Sequence, residues 1–247
     1  MPFTLAHPSI IIFCKNRYLN LMGFILGSMS PDFIYFLCFN PSSNFGHTIL
    51  GFIFFNLPLC FLLNFLIFRY VKTIFILSLP NFLLNRYSYL IYSSNKLDNL
   101  KNFFIFIYSS FVGMITHIFW DAFTHESGFF VNRFPLFFKK SFTLLKYKVP
   151  IYKLFQHGST LIGFLIIIIY FYSIQKSSDK KTLNRVRIFS TLFTTISFTF
   201  LFSYLYTILT NSNFGIGRFI VTFINGLFLG YIFSGIYYNI HHTNKNA

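Results

Sequence analysis

Apolar residues run through this chain in long blocks parted by short polar or basic turns, the pattern of helices that meet lipid rather than water. The first block, residues 4 to 14, opens with Thr4 and contains Pro8, which a first helical turn tolerates. It is too short to cross a bilayer, which takes roughly 20 helical residues. Beyond Lys15, Asn16 and Arg17, residues 19 to 39 form a second block with Pro31 inside it. Proline disfavours helical geometry at the residue before it, so one helix is expected to end near Ser30 and a second piece to begin at Asp32. Either a single spanning helix carries Asp32 within it, or a helical hairpin returns Asp32 to the level at which His7 enters. Only the hairpin joins the two residues.

After the loop NPSSN at 40 to 44, Phe45, Gly46, His47 and Thr48 open a long apolar helix expected to reach about residue 68, kinked at Pro58 and stopped by Arg69 and Lys72. Residues 73 to 95, broken by Pro80, Asn81, Asn85 and Arg86, read as an interfacial helix or a partly buried hairpin. A further run rises from Phe103 to near Gly128 and ends in THIFWDAFTHESG. The loop 129 to 156 is both basic and aromatic, as headgroup-level segments are. Gln156 and His157 stand at the mouth of the next span, where Ser159 and Thr160 are placed to cap it. A basic connector at 175 to 187 leads to two last spans, 188 to 210 and 216 to 238, which read as bundle filling, and then to a polar tail holding His241 and His242. The expectation is an all-α polytopic membrane bundle of about six to seven helices. It forms one integral membrane domain over residues 1 to 247, with a short N-terminal helical hairpin and one interfacial segment.

Composition removes the soluble alternative: 55% of residues are hydrophobic and 10% charged, where a soluble domain carries roughly a quarter charged. The net charge of +15, from 20 Lys+Arg against 5 Asp+Glu, would point to nucleic acid in a soluble chain. Here the basic residues lie between apolar runs, so the expected partner is a bilayer with anionic headgroups and no nucleic acid. Cys14, Cys38 and Cys60 are dispersed and odd in number, which argues against a disulfide framework or a thiolate metal site. The N-terminus lacks a basic n-region and a small-residue cleavage site, so His7 is expected in the mature protein.

Acid is scarce, and Asp32, Asp121 and Glu126 fall beside histidines. His117 and Asp121 are four apart and share a helix face. Such a pair either ligates a metal or stitches two helices with a hydrogen bond; alone it is a weak signal. Order along the chain strengthens the metal reading. If neighbouring helices alternate direction, His7, Asp32, His47, His117, Asp121 and His157 all fall at one side of the bundle. They are the expected ligands of one or two divalent ions, zinc first and manganese or iron next. Asp121 and Glu126 are the candidate catalytic carboxylates, and His125 and Glu126 the candidate supporting residues around the ligands. A metal ion acidifies its water and polarises a phosphoryl or carbonyl oxygen, the chemistry of a hydrolase. The chain has no serine-nucleophile elbow, phosphate-binding glycine loop or HExxH. Lys139, Lys140 and Lys146 are candidate contacts to a phosphate-bearing or lipid substrate.

MPFTLAHP, GSMSPDFIYF, the GHT at 46 to 48, THIFWDAFTHESGFF and PIYKLFQHGSTLIG, in this order, resemble a bacterial multi-pass membrane family, domain of unknown function 4184, over roughly residues 1 to 170. More remotely the pattern is similar to proteins labelled membrane-bound metal-dependent hydrolases, with GHT here in place of their commoner THS. That resemblance implies His7, Asp32, His47, His117 and Asp121 as the polar centre, with His157 beside them. Three functions compete: a membrane-embedded hydrolase, a transporter or channel using the same residues for a cation or proton, and a non-catalytic structural membrane protein. Arg17, Arg69, Lys72 and the 176 to 187 cluster favour a bacterial inner-membrane orientation with the centre on the periplasmic side, while the basic residues of 129 to 156 argue the other way.

Overall fold

The computed structural model describes residues 3–14, 18–38, 45–94, 97–144, 146–174 and 215–243, with scattered positions between 193 and 209. It is an all-α membrane bundle, and four helices are long and apolar enough to cross a membrane: Ile49–Ser78, Leu100–Arg133, Ile151–Ser173 and Ile216–Ile240. In the expected span at 188 to 210 the described positions are helical. Its other residues, the connector 175 to 187, the turn at Lys15 to Arg17 and the NPSSN loop lie outside the described residues. The chain divides into two compact units, one of Met1–Phe33, Asn44–Cys60 and Lys96–Ser173, the other of Ile34–Ser43, Phe61–Asn95 and Ile174–Ala247.

The first unit is built on a close helix crossing. Leu21–Met29 is capped by Asn20, whose side chain accepts from the Gly23 N–H at 2.9 Å. It lies against Leu100–Thr124, which starts three residues earlier than expected because Asn99 caps it by accepting from the Asn102 N–H at 2.7 Å. Gly23 and Gly27 on one helix and Gly113 on the other leave out the side chains that would hold the backbones apart. A Cβ on Gly27 would lie 2.2 Å from the Ser110 carbonyl oxygen, and one on Gly113 would lie 2.4 Å from that of Phe24. Small residues at such crossings let membrane helices approach through their backbones.

Of the two arrangements open to the chain start, the hairpin is the one formed. Thr4–Ser9 and Ile11–Phe13 are short 3-10 helices, and Pro31 is absorbed in the 3-10 turn Ser30–Asp32 between Leu21–Met29 and Phe33–Leu37. The Thr4 hydroxyl donates to Asp32 Oδ2 at 2.7 Å, which closes the hairpin. Thr160, expected to cap its own helix, instead accepts from the Phe3 N–H at 3.1 Å and donates to the Gln156 carbonyl at 3.0 Å. Three residues on, Gly163 lets the N-terminal segment seat against the same helix, since a Cβ there would lie 3.0 Å from that of Ala6.

Two local expectations are corrected. The segment 129 to 156, read as a loop before its span, holds the short helices Phe129–Arg133 and Pro135–Phe138, the antiparallel strands Ser141–Leu144 and Tyr147–Pro150, and the first turn of Ile151–Ser173. The hairpin turn has Lys146 at φ 75°, a position that normally announces itself with Gly or Asn. Arg69 and Lys72 do not stop their helix, because both are good helix formers whose stems lie along apolar surface. The run continues to Ser78 through a π-helical turn at Ile67–Val71. Another π-helical turn, Phe52–Asn56, sits just before Pro58 and loosens the ladder where proline removes a donor.

In the second unit Pro80 ends that helix, and Asn81–Tyr87 packs beside it through Ile76, Leu84 and Tyr87, all buried. Of the stretch 73 to 95, expected as an interfacial helix or a partly buried hairpin, residues 73 to 78 complete the spanning helix and the rest turns back at Pro80 on a small core of its own. Arg86 donates to the Ile174 carbonyl at 2.6 Å, and Gly235 on Ile216–Thr243 faces the Tyr70 carbonyl, 2.1 Å from where a Cβ would lie.

Replacing Gly27 with Val should cost about 1–3 kcal/mol or more, since the obstacle is backbone rather than a movable side chain. Gly217, with nothing within 4 Å of where a Cβ would lie, should accept Ala at little cost. Thermal unfolding of both variants in detergent reads the difference, and equal tolerance would refute the close-crossing account.

Candidate metal centre

Five of the six expected ligands converge within the first unit, brought from four segments. His7 comes from Thr4–Ser9, Asp32 from Ser30–Asp32, His47 from Phe45–His47, and His117 with Asp121 from Leu100–Thr124. Gly46 makes the His47 position reachable: a Cβ there would lie 2.2 Å from the Pro31 carbonyl oxygen, so the turn presses directly against the residue before Asp32. The buried Asn56 holds that turn by donating to the Gly46 carbonyl at 2.7 Å.

The facing atoms are closely spaced. His117 Nε2 lies 3.2 Å from Asp121 Oδ2 and 3.7 Å from Asp32 Oδ1, and His47 Nε2 lies 3.6 Å and 3.7 Å from the same two oxygens. Ligand atoms about 2.0–2.2 Å from one tetrahedral ion stand roughly 3.3–3.6 Å from each other, so each of these four nitrogen–oxygen distances is near the spacing of ligands on a common ion. His7 Nε2 and His125 Nδ1 flank the other oxygen, Asp121 Oδ1, at 3.9 Å and 3.4 Å. The His7 and His117 rings are stacked with centroids 3.9 Å apart.

Hydrogen bonding settles which atoms face inward. His117 Nδ1 donates to the Ser28 carbonyl at 2.7 Å, which in the neutral ring leaves Nε2 as the lone-pair nitrogen. Thr4 occupies Asp32 Oδ2 and leaves Oδ1 toward the imidazoles. Among the described residues, His7 Nε2, Asp32 Oδ1, His117 Nε2 and Asp121 Oδ1 are buried with no hydrogen-bond partner. His117 Nε2 and Asp121 Oδ2 stand 3.2 Å apart on successive turns of one helix. Burial, then the neighbouring His117, pushes the His7 imidazole well below its usual range, and burial pushes the Asp32 carboxyl up. A neutral imidazole is a ligand, and a carboxylate in this setting ionises when a cation is supplied.

Two overlapping triads have metal-ligand spacing, His7–His117–Asp121 and Asp32–His47–His117. They share His117 Nε2, and one nitrogen lone pair holds one ion. The two triads therefore cannot both be complete around separate ions. Around the centre the side-chain exposure is 25% for His125 and 20% for His47, against 4% for His7.

The other expected residues are placed elsewhere. His157, the sixth expected ligand, is exposed on Ile151–Ser173 and belongs to neither triad, because the helix turns Gln156 rather than His157 inward. His125 follows the end of its helix in extended backbone, yet its ring folds back so that Nδ1 lies 3.3 Å from the Asp121 carbonyl. Glu126 is exposed and meets the Tyr152 hydroxyl at 3.5 Å. Lys139 donates to Asn132 Oδ1 at 3.0 Å, Lys140 lies over the Phe142 ring, and Lys146 is exposed in the hairpin turn. Thr4, Gly46 and Asn56 carried no assigned role in the sequence, although a buried amide inside an apolar helix was a signal for Asn56.

The fold and this centre define a helical membrane protein with a buried histidine–aspartate cluster of metal-ligand spacing. The chain belongs to the family described as Domain of unknown function (DUF4184), whose match covers residues 1–236 and so takes in the last spans as well as the resemblance over 1 to 170. No curated protein and no solved structure matches it.

Thr4→Val should leave the fold in place and weaken metal binding by about 10–100-fold, the usual effect of losing a ligand's hydrogen-bonding partner. Zinc titration of the purified protein measures this, and unchanged affinity would show that Thr4 does not orient Asp32.

Proposed function

We propose that the protein is a membrane-embedded metal-dependent hydrolase acting on a phosphoester or lipid-linked substrate. The observation that carries this reading is the convergence of Asp32, His47, His117 and Asp121, with imidazole nitrogens 3.2 to 3.7 Å from carboxylate oxygens and the outer atoms of His117 and Asp32 held by Ser28 and Thr4. Two imidazoles and two carboxylates suit zinc, with manganese or iron as alternatives. When bound, such an ion supplies Lewis acidity at the scissile group and acidifies water. The chain's own part is to hold neutral imidazoles and to keep the interior side dry at His7. Asp121 Oδ1 takes up a proton, with His7 and His125 at hand to share it. Exposed Glu126, paired with Tyr152, lies outside the quartet and does not serve as its base in this reading. The membrane is taken to be a bacterial inner membrane with the centre toward the periplasm, on the positive-inside argument.

Metal analysis of the detergent-purified protein should find about one equivalent of zinc, manganese or iron. Asp121→Ala and His47→Ala should each lose it, whereas His157→Ala should keep it. Hydrolysis of a chromogenic phosphodiester should stop on chelation and return with metal. Wild type without stoichiometric metal would sink the proposal, and metal without turnover would leave a binding or transport role for the same centre.

A further inference from the structure

The N-terminal segment is too short to fill the space between the two long helices of the first unit, and a pocket of about 570 Å³ remains there. Its walls come from Ile10 and Ile11 on the short segment, Phe119 and Trp120 beside Asp121, and Leu154 and Ile166 on Ile151–Ser173. Leu154 and Ile166 are twelve residues apart on one helix, so the pocket follows it for about 18 Å. Half of a roughly 30 Å hydrocarbon layer is a similar length. His7 lines the pocket as well, which ties its wall to the metal centre.

The lining offers almost nothing to a polar ligand. The Thr116 hydroxyl donates to the Gly113 carbonyl at 2.7 Å and that of Ser159 to the Gln156 carbonyl at 3.1 Å, so both are engaged within their own helices. Around the opening, Ile10, Phe119 and Ile162 are exposed, the last two on helices long and apolar enough to span a membrane. A water-filled pocket of this composition is unfavourable, and the volume is that of a ligand site.

We infer that this pocket, with His7 in its wall, seats the hydrocarbon chain of a membrane lipid beside the metal centre, which makes the substrate class a lipid ester. The identity of the reaction rests on the hydrolase reading; the seating of the chain rests on the pocket alone. A phospholipid acyl chain and a polyprenyl phosphate share this chemistry, and the test separates them.

Zinc-loaded protein in nanodiscs is photolysed with phosphatidylglycerol carrying a diazirine on one acyl chain, or with a photoreactive polyprenyl phosphate, each in excess unlabelled lipid. Labelling should concentrate on residues 116 to 120 and 154 to 166, and the probe that does so identifies the chain type. Gly158 lines the pocket and a Cβ there meets nothing within 4 Å, so Gly158→Leu fills the space without a backbone clash. It should retain its metal and lose this labelling by roughly tenfold or more. Labelling by both probes spread evenly over the lipid-facing helices, or focused labelling that Gly158→Leu leaves intact, would overturn the inference. If Gly158→Leu lost its metal, Ile162→Trp would replace it in the same comparison, judged by the same outcomes. Focused labelling without metal-dependent turnover would reject the hydrolase reading and leave the pocket assignment standing.

Discussion

The structure turns on a set of lone pairs that it buries facing one another. Imidazole nitrogens and carboxylate oxygens stand 3.2 to 3.7 Å apart in the quartet, and the inward atoms of His117 and Asp32 have no hydrogen-bond partner among the described residues. Without a positive charge between them such atoms repel, and their desolvation is uncompensated. A shared cation removes both penalties at once. The same reasoning explains why the outer atoms are hydrogen-bonded so carefully: each tie to Ser28 or Thr4 prevents a ligand from turning away to satisfy itself elsewhere.

Holding that arrangement requires backbones to approach one another where side chains would intervene. Gly27 and Gly113 allow the Leu21–Met29 and Leu100–Thr124 backbones to meet, and this crossing is what brings the Ser28 carbonyl to His117. Gly46 does the same for His47 and Asp32, with Asn56 fixing the turn from within a π-helical stretch. Thr160 and Gly163 dock the segment that carries His7. The QHGSTLIG block thus meets the centre through Thr160 and Gly163, which seat the segment carrying His7, while His157 is exposed. The short hairpin that supplies His7 and Asp32 also leaves the apolar pocket next to the centre, so the same economy of length that creates the site creates the space beside it.

Much of this was legible in the order of residues. Hydropathy blocks reveal a helical membrane protein, since a bilayer demands long apolar runs whose backbone polar groups bond internally. Scarce acid beside histidine at helix ends picks out His7, Asp32, His47, His117 and Asp121, because ionisable groups in such surroundings need a reason to be there. Several details were not legible. The hairpin at Ser141–Leu144 and Tyr147–Pro150 lacks a glycine or asparagine in its turn, and the helix through Arg69 and Lys72 continues because charge on a long stem does not break helical geometry.

What the sequence by itself determined is the class of protein and the chemical types that gather at one level of it, because both follow from local periodicity and from the alternation of helix direction. Tertiary structure alone decided which histidines face inward. His157 and Gln156 are adjacent, and only the packing of Ile151–Ser173 against the N-terminal segment turns one out and the other in. It also decided the hairpin over the single span, through one hydrogen bond from Thr4 to Asp32 between residues 28 positions apart. No local rule reaches across that separation; a close approach set by glycines does.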